Sequence, residues 1–71
     1  MKLNALIEYL NTNEWIESPR FKNHFIKTGI VGFVAIDHTT REAFIVEFPG
    51  DVPWARFSDI EQFERDILHL Q

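Results

Sequence analysis

Two apolar runs between residues 30 and 48, separated by a polar segment at residues 37–42, predict a β-hairpin. The two strands cover residues 30–37 and 42–48, and residues 38–41 form the loop between them. A four-residue loop of this kind is most often built around a type I turn. We expect a backbone position with positive φ near the end of the loop, at Thr40 or Arg41, where glycine would ordinarily be preferred.

The register of this hairpin follows from pairing Asp37 with Glu42. One face then carries Gly32, Val34, Ile36, Ala43, Ile45 and Glu47, and the other carries Val31, Phe33, Ala35, Phe44, Val46 and Phe48. A hairpin with one solvated face would alternate polar and apolar residues. Both faces are apolar here, so we expect the helices to cover one face, and loop aromatics, a further helix or another chain to cover the second.

Helical periodicity occurs at both ends of the chain. A first helix is predicted over residues 2–11, because its apolar residues follow the i, i+3, i+4, i+7 spacing of one buried face. That stripe consists of Leu3, Leu6, Ile7 and Leu10. A second helix is predicted over residues 58–70, since Ser58 and Glu61 form an S-x-x-E capping box at its start. Its stripe consists of Ile60, Phe63 and Ile67.

Residues 14–29 allow two interpretations. Ser18 followed by Pro19 is typical of a helix start, and Gly29 would suit a helix end. The alternative is a strand over about residues 20–27 that turns through Thr28 and Gly29 into the hairpin. We favour the strand because a two-stranded hairpin is marginal by itself and a third strand makes a stable sheet.

The predicted fold is therefore a single small α+β domain over residues 1–71. A small antiparallel β-meander, ordered α-β-β-β-α, is packed by N- and C-terminal helices; if residues 20–27 are helical, the order becomes α-α-β-β-α. The chain has no cysteine, no secretory leader pattern and no apolar run near the roughly 18 residues that a membrane span needs. We expect a cytoplasmic protein without membrane attachment.

The formal net charge of −4 is unevenly distributed. Residues 1–36 contain four Lys or Arg and three Glu, whereas residues 37–71 contain three Arg and eight Asp or Glu. An acidic half disfavours general nucleic-acid binding, which depends on clustered Lys and Arg. A basic protein surface is the better electrostatic match for that half.

Residue types that support catalysis are scarce. Ser18 and Ser58 stand where helix caps or turns require them, and no cysteine nucleophile exists. The histidines, His24, His38 and His69, fall in three separate predicted elements without ligand spacing. Asp37 beside His38 is ordinary chemistry for the start of a turn. We therefore assign no catalytic, cofactor-binding or metal-binding residues, and expect no enzymatic activity.

Two sets of residues are candidates for binding a partner. The first combines a proline-bounded loop with the acidic C-terminal helix, because Trp and Arg are frequent in binding hot spots: Trp54, Arg56, Asp59, Glu64 and Asp66. In the other interpretation of the loop, Trp54 and Phe57 fold back and close the edge of the core. The second set is basic and interleaved with phenylalanines, which is typical of single-strand nucleic-acid binding: Arg20, Lys22 and Lys27.

The sequence thus predicts a non-enzymatic protein–protein interaction module, a small adaptor or inhibitor. Its acidic surface would dock a basic partner, and a homodimer is one form that the interaction can take. A small nucleic-acid-binding module that uses residues 20–27 is the alternative. No small-molecule substrate is inferred.

Overall fold

The computed structural model describes residues 3–57 and 60–67, which form two helices and five strands. The elements in chain order are α1 (Leu3–Thr12), β1 (Ile16–Glu17), β2 (His24–Ile26), β3 (Phe33–Asp37), β4 (Glu42–Val46), β5 (Ala55–Phe57) and α2 (Ile60–Ile67). The strands form one antiparallel sheet in the order β1-β2-β3-β4-β5. The predicted α+β meander with terminal helices is confirmed, and the sheet gains two short edge strands, β1 and β5, that the sequence analysis does not predict.

The ambiguous segment between α1 and the hairpin contains a strand, although it is shorter than residues 20–27. The Ser18 hydroxyl accepts hydrogen bonds from the backbone N–H groups of Arg20 (3.2 Å) and Phe21 (3.2 Å). Ser18 therefore caps one turn, as a helix start would require, but the chain then enters β2. Gly29, with φ 88°, lies in the turn that the Ile30 N–H closes on the Lys27 carbonyl at 3.1 Å.

The β3–β4 hairpin has the predicted register, with Asp37 opposite Glu42. The predicted positive-φ position is Arg41, at φ 61°, and its N–H donates to the Asp37 carbonyl at 2.8 Å. Asp37 Oδ1 accepts the N–H groups of Thr39 (2.9 Å) and Thr40 (3.1 Å). This carboxylate is therefore a turn-forming group.

Helix α1 ends through a left-handed residue. Glu14 has φ 70°, and the Trp15 N–H donates to the Leu10 carbonyl at 2.9 Å. This is the hydrogen bond of a Schellman end, in which glycine is the usual left-handed residue. The motif directs Trp15, 4% exposed, into the core beside Leu10.

Both helices pack on one face of the sheet. The core cluster contains the predicted α1 leucines, with Ile7 partly buried against it, and Phe63 and Ile67 of α2. Its sheet members are Phe25, Val34, Ile36, Ala43, Ile45 and Phe57. The prediction that Ser58 caps the second helix falls outside the described residues, as do the last residues of its predicted range. Among the residues described, neither helix is long and apolar enough to cross a membrane.

Candidate functional site

The sheet has a second face that the helices do not cover, and we call it the outer face. Side chains alternate between the two sides of a strand, so residues between the core positions point to this side. Its strand positions are Ile16, His24, Ile26, Phe33, Ala35, Asp37, Glu42, Phe44, Val46 and Arg56. Val46 is only 4% exposed yet does not belong to the helix-side core cluster. The outer face therefore has some packing of its own.

Four rings form what we call the aromatic cluster of the outer face: Phe21, His24, Phe33 and Phe48. Phe21 contacts the other three, with ring centroids 5.5 to 6.2 Å apart. Phe33 lies 6.1 Å from His24 and 6.0 Å from Phe48. All five pairs are edge-to-face, a geometry worth about 0.5–1.5 kcal/mol per pair beyond buried area. The cluster is therefore a pre-arranged apolar platform.

The loop that carries Phe21 is held by the strand beside it. The Ile36 N–H donates to the Asn23 carbonyl at 2.9 Å, which holds the loop before β2 against β3. Asn23 itself has φ 63°, a conformation that asparagine tolerates better than most residues. His24 Nδ1 donates to the Lys22 carbonyl at 2.8 Å, so the orientation of its ring is fixed in the cluster.

A second group lies nearer the β5 edge of the outer face. The Arg56 guanidinium sits over the Phe44 ring at 5.3 Å, within the range of a cation–π contact. Arg56 Nε also lies 3.6 Å from Glu42 Oε2. The arginine is two-thirds exposed, so this ion pair adds little stability, but it neutralises both charges at the face.

Two exposed apolar side chains lie on this side of the sheet. Ile16, 59% exposed, pairs with Ile26 across β1–β2, and Phe48, 54% exposed, belongs to the aromatic cluster. Trp54 is also exposed and immediately precedes β5. Single exposed apolar residues are ordinary, whereas Phe48 continues the surface of the other rings, and a contiguous apolar surface marks an interaction site.

The residues predicted to bind a protein partner separate into two surfaces. Arg56 lies on the outer face, and Trp54, 49% exposed, immediately precedes its strand, whereas Phe57, 1% exposed, closes the core. The interpretation in which both loop aromatics fold inward therefore holds for Phe57 and is wrong for Trp54. Glu64 and Asp66 lie on α2, on the opposite side of the sheet, and Asp59 lies outside the described residues.

Glu64 is joined to α1. The Tyr9 hydroxyl donates to Glu64 Oε2 at 2.8 Å. Burial, followed by the hydrogen bond to Glu64 and the charge of Glu64, raises the pKa of Tyr9 to about 12. This contact links the two helices, so Glu64 has a structural role as well as its surface charge.

The three basic residues of the nucleic-acid alternative are not brought together. The Arg20 guanidinium lies over the Phe21 ring at 5.8 Å, and Lys22 is exposed in the same loop. Lys27 instead lines a cleft of about 320 Å³ on the helix side, together with Tyr9 and Glu64. The phenylalanines do form a platform, but only part of the basic charge accompanies it.

Of the residues weighed for chemistry, Asp37 forms hydrogen bonds within the β3–β4 turn. The backbone N–H groups of Thr40 and Thr39 that donate to the Asp37 carboxylate hold its pKa below the usual range, as a turn-forming role requires. His38 is exposed. Within residues 3–57 and 60–67, no group of three or more His, Cys, Asp or Glu side chains could hold a metal ion.

Sequence analysis missed the place of His24 in the aromatic cluster. The segment offered a signal, because His24 and Ile26 flank a buried Phe25 as they would in a short strand. The involvement of Phe21 had no local signal, since it depends on the fold of a loop. Comparison of the chain with protein-family models, with curated proteins and with solved structures finds no match.

Proposed function

We propose that this protein is a non-enzymatic protein-interaction module that binds an apolar, nearly uncharged protein surface through its outer face. The observation that carries the proposal is the aromatic cluster, with Phe48 54% exposed at its margin. Aromatic side chains contribute large contact areas to interfaces. A protein partner would bury them without losing any hydrogen bond.

Charge supports an apolar protein partner over a nucleic acid. Glu42 and Arg56 neutralise each other, and the remaining charged strand position of the outer face is a carboxylate, Asp37. Phosphate binding requires an excess of Lys and Arg, which the strand positions of this face lack. A basic partner would need an acidic surface, and the carboxylates of α2 lie on the helix side. A cytoplasmic location belongs to the same proposal, and the cysteine-free sequence suits a reducing compartment.

Site-specific photo-crosslinking tests this function. A photoreactive phenylalanine analogue replaces Phe48 on the outer face or, as a control, Ala5, which is exposed on α1. Each protein is irradiated in a cell extract, and the attached peptides are identified by mass spectrometry. We expect one defined protein adduct from position 48 and none from position 5. Failure of position 48 to give any protein adduct, or the same adducts from both positions, would overturn the proposal.

A nucleic-acid platform is the second candidate, and Arg20 over Phe21 is the observation that favours it. Its test is binding of a fluorescent single-stranded oligonucleotide at low salt. Binding that weakens steeply as salt rises, and that Phe21→Ala abolishes, would favour this candidate.

A further inference from the structure

We infer that the surface closing the outer face is the outer face of a second copy of this chain. The inference rests on the proposed function, because it names the partner of the same surface. Two identical sheets would stack face to face about 10 Å apart, as in a β-sandwich. Three properties of the molecule support a second copy: the area of the outer face, the charge of the outer face, and the acidic charge of the helix side.

The area fits a weak homodimer. The Cα atoms span about 24 × 24 × 22 Å, so the whole cross-section of the molecule is roughly 580 Å², and two copies stacked over it would bury at most roughly 1,150 Å² in total, less whatever part of the face is already packed, as Val46 is. A specific interface needs about 1,000 Å², and weak or transient complexes lie near this limit. We therefore expect a dimer that forms in the micromolar range and dissociates on dilution.

The charges of the outer face tolerate a two-fold arrangement. A two-fold interface brings each residue of one copy against the equivalent surface of the other, so any net charge on the face would repel itself. The ion pair between Arg56 and Glu42 removes that obstacle on the β4–β5 side. Aromatic rings then provide the remaining contact, and they need no complementary charge.

The helix side is unsuited to self-association. Four carboxylates, Glu8, Glu61, Glu64 and Asp66, lie on α1 and α2, against Arg65 alone among basic residues within these helices. Two copies meeting through this side would bring like charges together. The outer face is thus the side through which two chains that each carry a net charge of −4 can approach. Because the residual charges still repel at longer range, added salt should strengthen the dimer.

Sedimentation velocity over a concentration series tests this inference with two variants of equal charge. Phe48→Glu places a carboxylate on the outer face. Because both copies carry the substitution, a two-fold dimer would have two carboxylates in its interface. Ala5→Glu adds the same charge to the exposed side of α1. Phe48 is half-exposed, so its replacement should leave the fold intact, and circular dichroism verifies this.

We expect the wild type to dimerise. Phe48→Glu should raise the dissociation constant of the dimer at least about tenfold. Ala5→Glu should change that constant less than about threefold. A wild type that remains monomeric at every concentration overturns the inference. So does a dimer that is unaffected by Phe48→Glu but weakened by Ala5→Glu. If Phe48→Glu does unfold the chain, Ile16→Glu serves as the second outer-face variant, because Ile16 pairs with Ile26 and is 59% exposed.

Crosslinking from position 48 separates failure of this inference from failure of the proposed function. An adduct between two copies of the chain supports both. An adduct with a different protein, from a chain that sediments as a monomer, leaves the interaction function standing and rejects the second copy. Sedimentation that shifts only when a single-stranded oligonucleotide is added rejects both in favour of a nucleic acid.

Discussion

Gly32, which leads into β3, is the position where a single added methyl group should cost the most. A Cβ built there would lie 2.8 Å from the Val46 carbonyl oxygen, and the residue has φ 101°. The carbonyl belongs to the backbone of β4 in the middle of the sheet, so it cannot move aside as a flexible side chain would. Gly32→Ala therefore combines an unfavourable backbone conformation with a steric clash.

The expected cost of Gly32→Ala is the sum of a conformational part and a steric part. A non-glycine residue at positive φ costs about 1–2 kcal/mol, and overpacking against an immovable neighbour costs about 1–3 kcal/mol. We expect Gly32→Ala to lower the free energy of unfolding by about 2–5 kcal/mol. A chain of 71 residues has a total stability of only about 4–11 kcal/mol, so the variant should lose a measurable fraction of it.

Gly29 provides a matched control. It has φ 88° and no atom within 4 Å of its added Cβ, so Gly29→Ala should cost only the conformational part, about 1–2 kcal/mol. Urea denaturation monitored by circular dichroism, at one low protein concentration, gives both free energies. Equal costs for the two variants would refute the close approach of Gly32 to β4.

Three other predictions follow from single contacts. Arg41→Gly should raise the free energy of unfolding by about 0.5–1 kcal/mol, because glycine adopts positive φ without strain, and a thermal melt measures it. Tyr9, the one tyrosine in the chain, should ionise with a midpoint near 12 in a tyrosinate absorbance titration, and Glu64→Gln should lower that midpoint. The pKa of Tyr9 in the folded protein lies above the unfolded value of about 10. The stability that the neutral Tyr9 hydroxyl contributes is therefore complete below pH 10 and disappears between about pH 10 and 12. Asp37→Asn should reduce the free energy of unfolding most at neutral pH. The pKa of Asp37 is lowered in the folded protein, so the stability that its carboxylate contributes is present above about pH 4 and is lost as pH falls through the folded pKa.

Each of these predictions has a clear contradicting result. A lower melting temperature for Arg41→Gly would reject the turn geometry. A tyrosinate midpoint near 10 that Glu64→Gln leaves unchanged would reject the Tyr9–Glu64 contact. An Asp37→Asn stability difference that stays the same from acid to neutral pH would show that the ionised carboxylate is not the favoured partner of the Thr39 and Thr40 N–H groups.

The parts of the fold that could be predicted from the sequence are those with a long or well-bounded signal. The β3–β4 hairpin consists of two apolar runs separated by one polar turn, and the ends of that turn fix the Asp37–Glu42 register. Strand β1 has two residues and β5 has three, too few for any period to be recognised. Their existence depends on pairing with β2 and β4, which is a tertiary effect.

The candidate site was predictable only in outline. Alternation shows that the hairpin has a second apolar face, but it cannot show which loop residues join that face. Nearness in sequence also cannot show that Arg56 and Glu64 are separated, because β5 carries Arg56 on the outer face and α2 carries Glu64 on the opposite side of the sheet. The left-handed conformation of Glu14 could not be predicted either. It is required only because the chain must turn Trp15 into the core, which is a tertiary effect.

The most direct test of the account is the solution mass by light scattering, with acrylamide quenching of tryptophan emission on the same samples. Trp15 is buried and Trp54 is half-exposed, so quenching reports chiefly on Trp54. The account predicts a mass that rises from 8.4 kDa towards twice that value with concentration, while Trp54 becomes protected. A mass of 8.4 kDa at every concentration, with Trp54 still open to the quencher, would contradict closure of the outer face by a second copy.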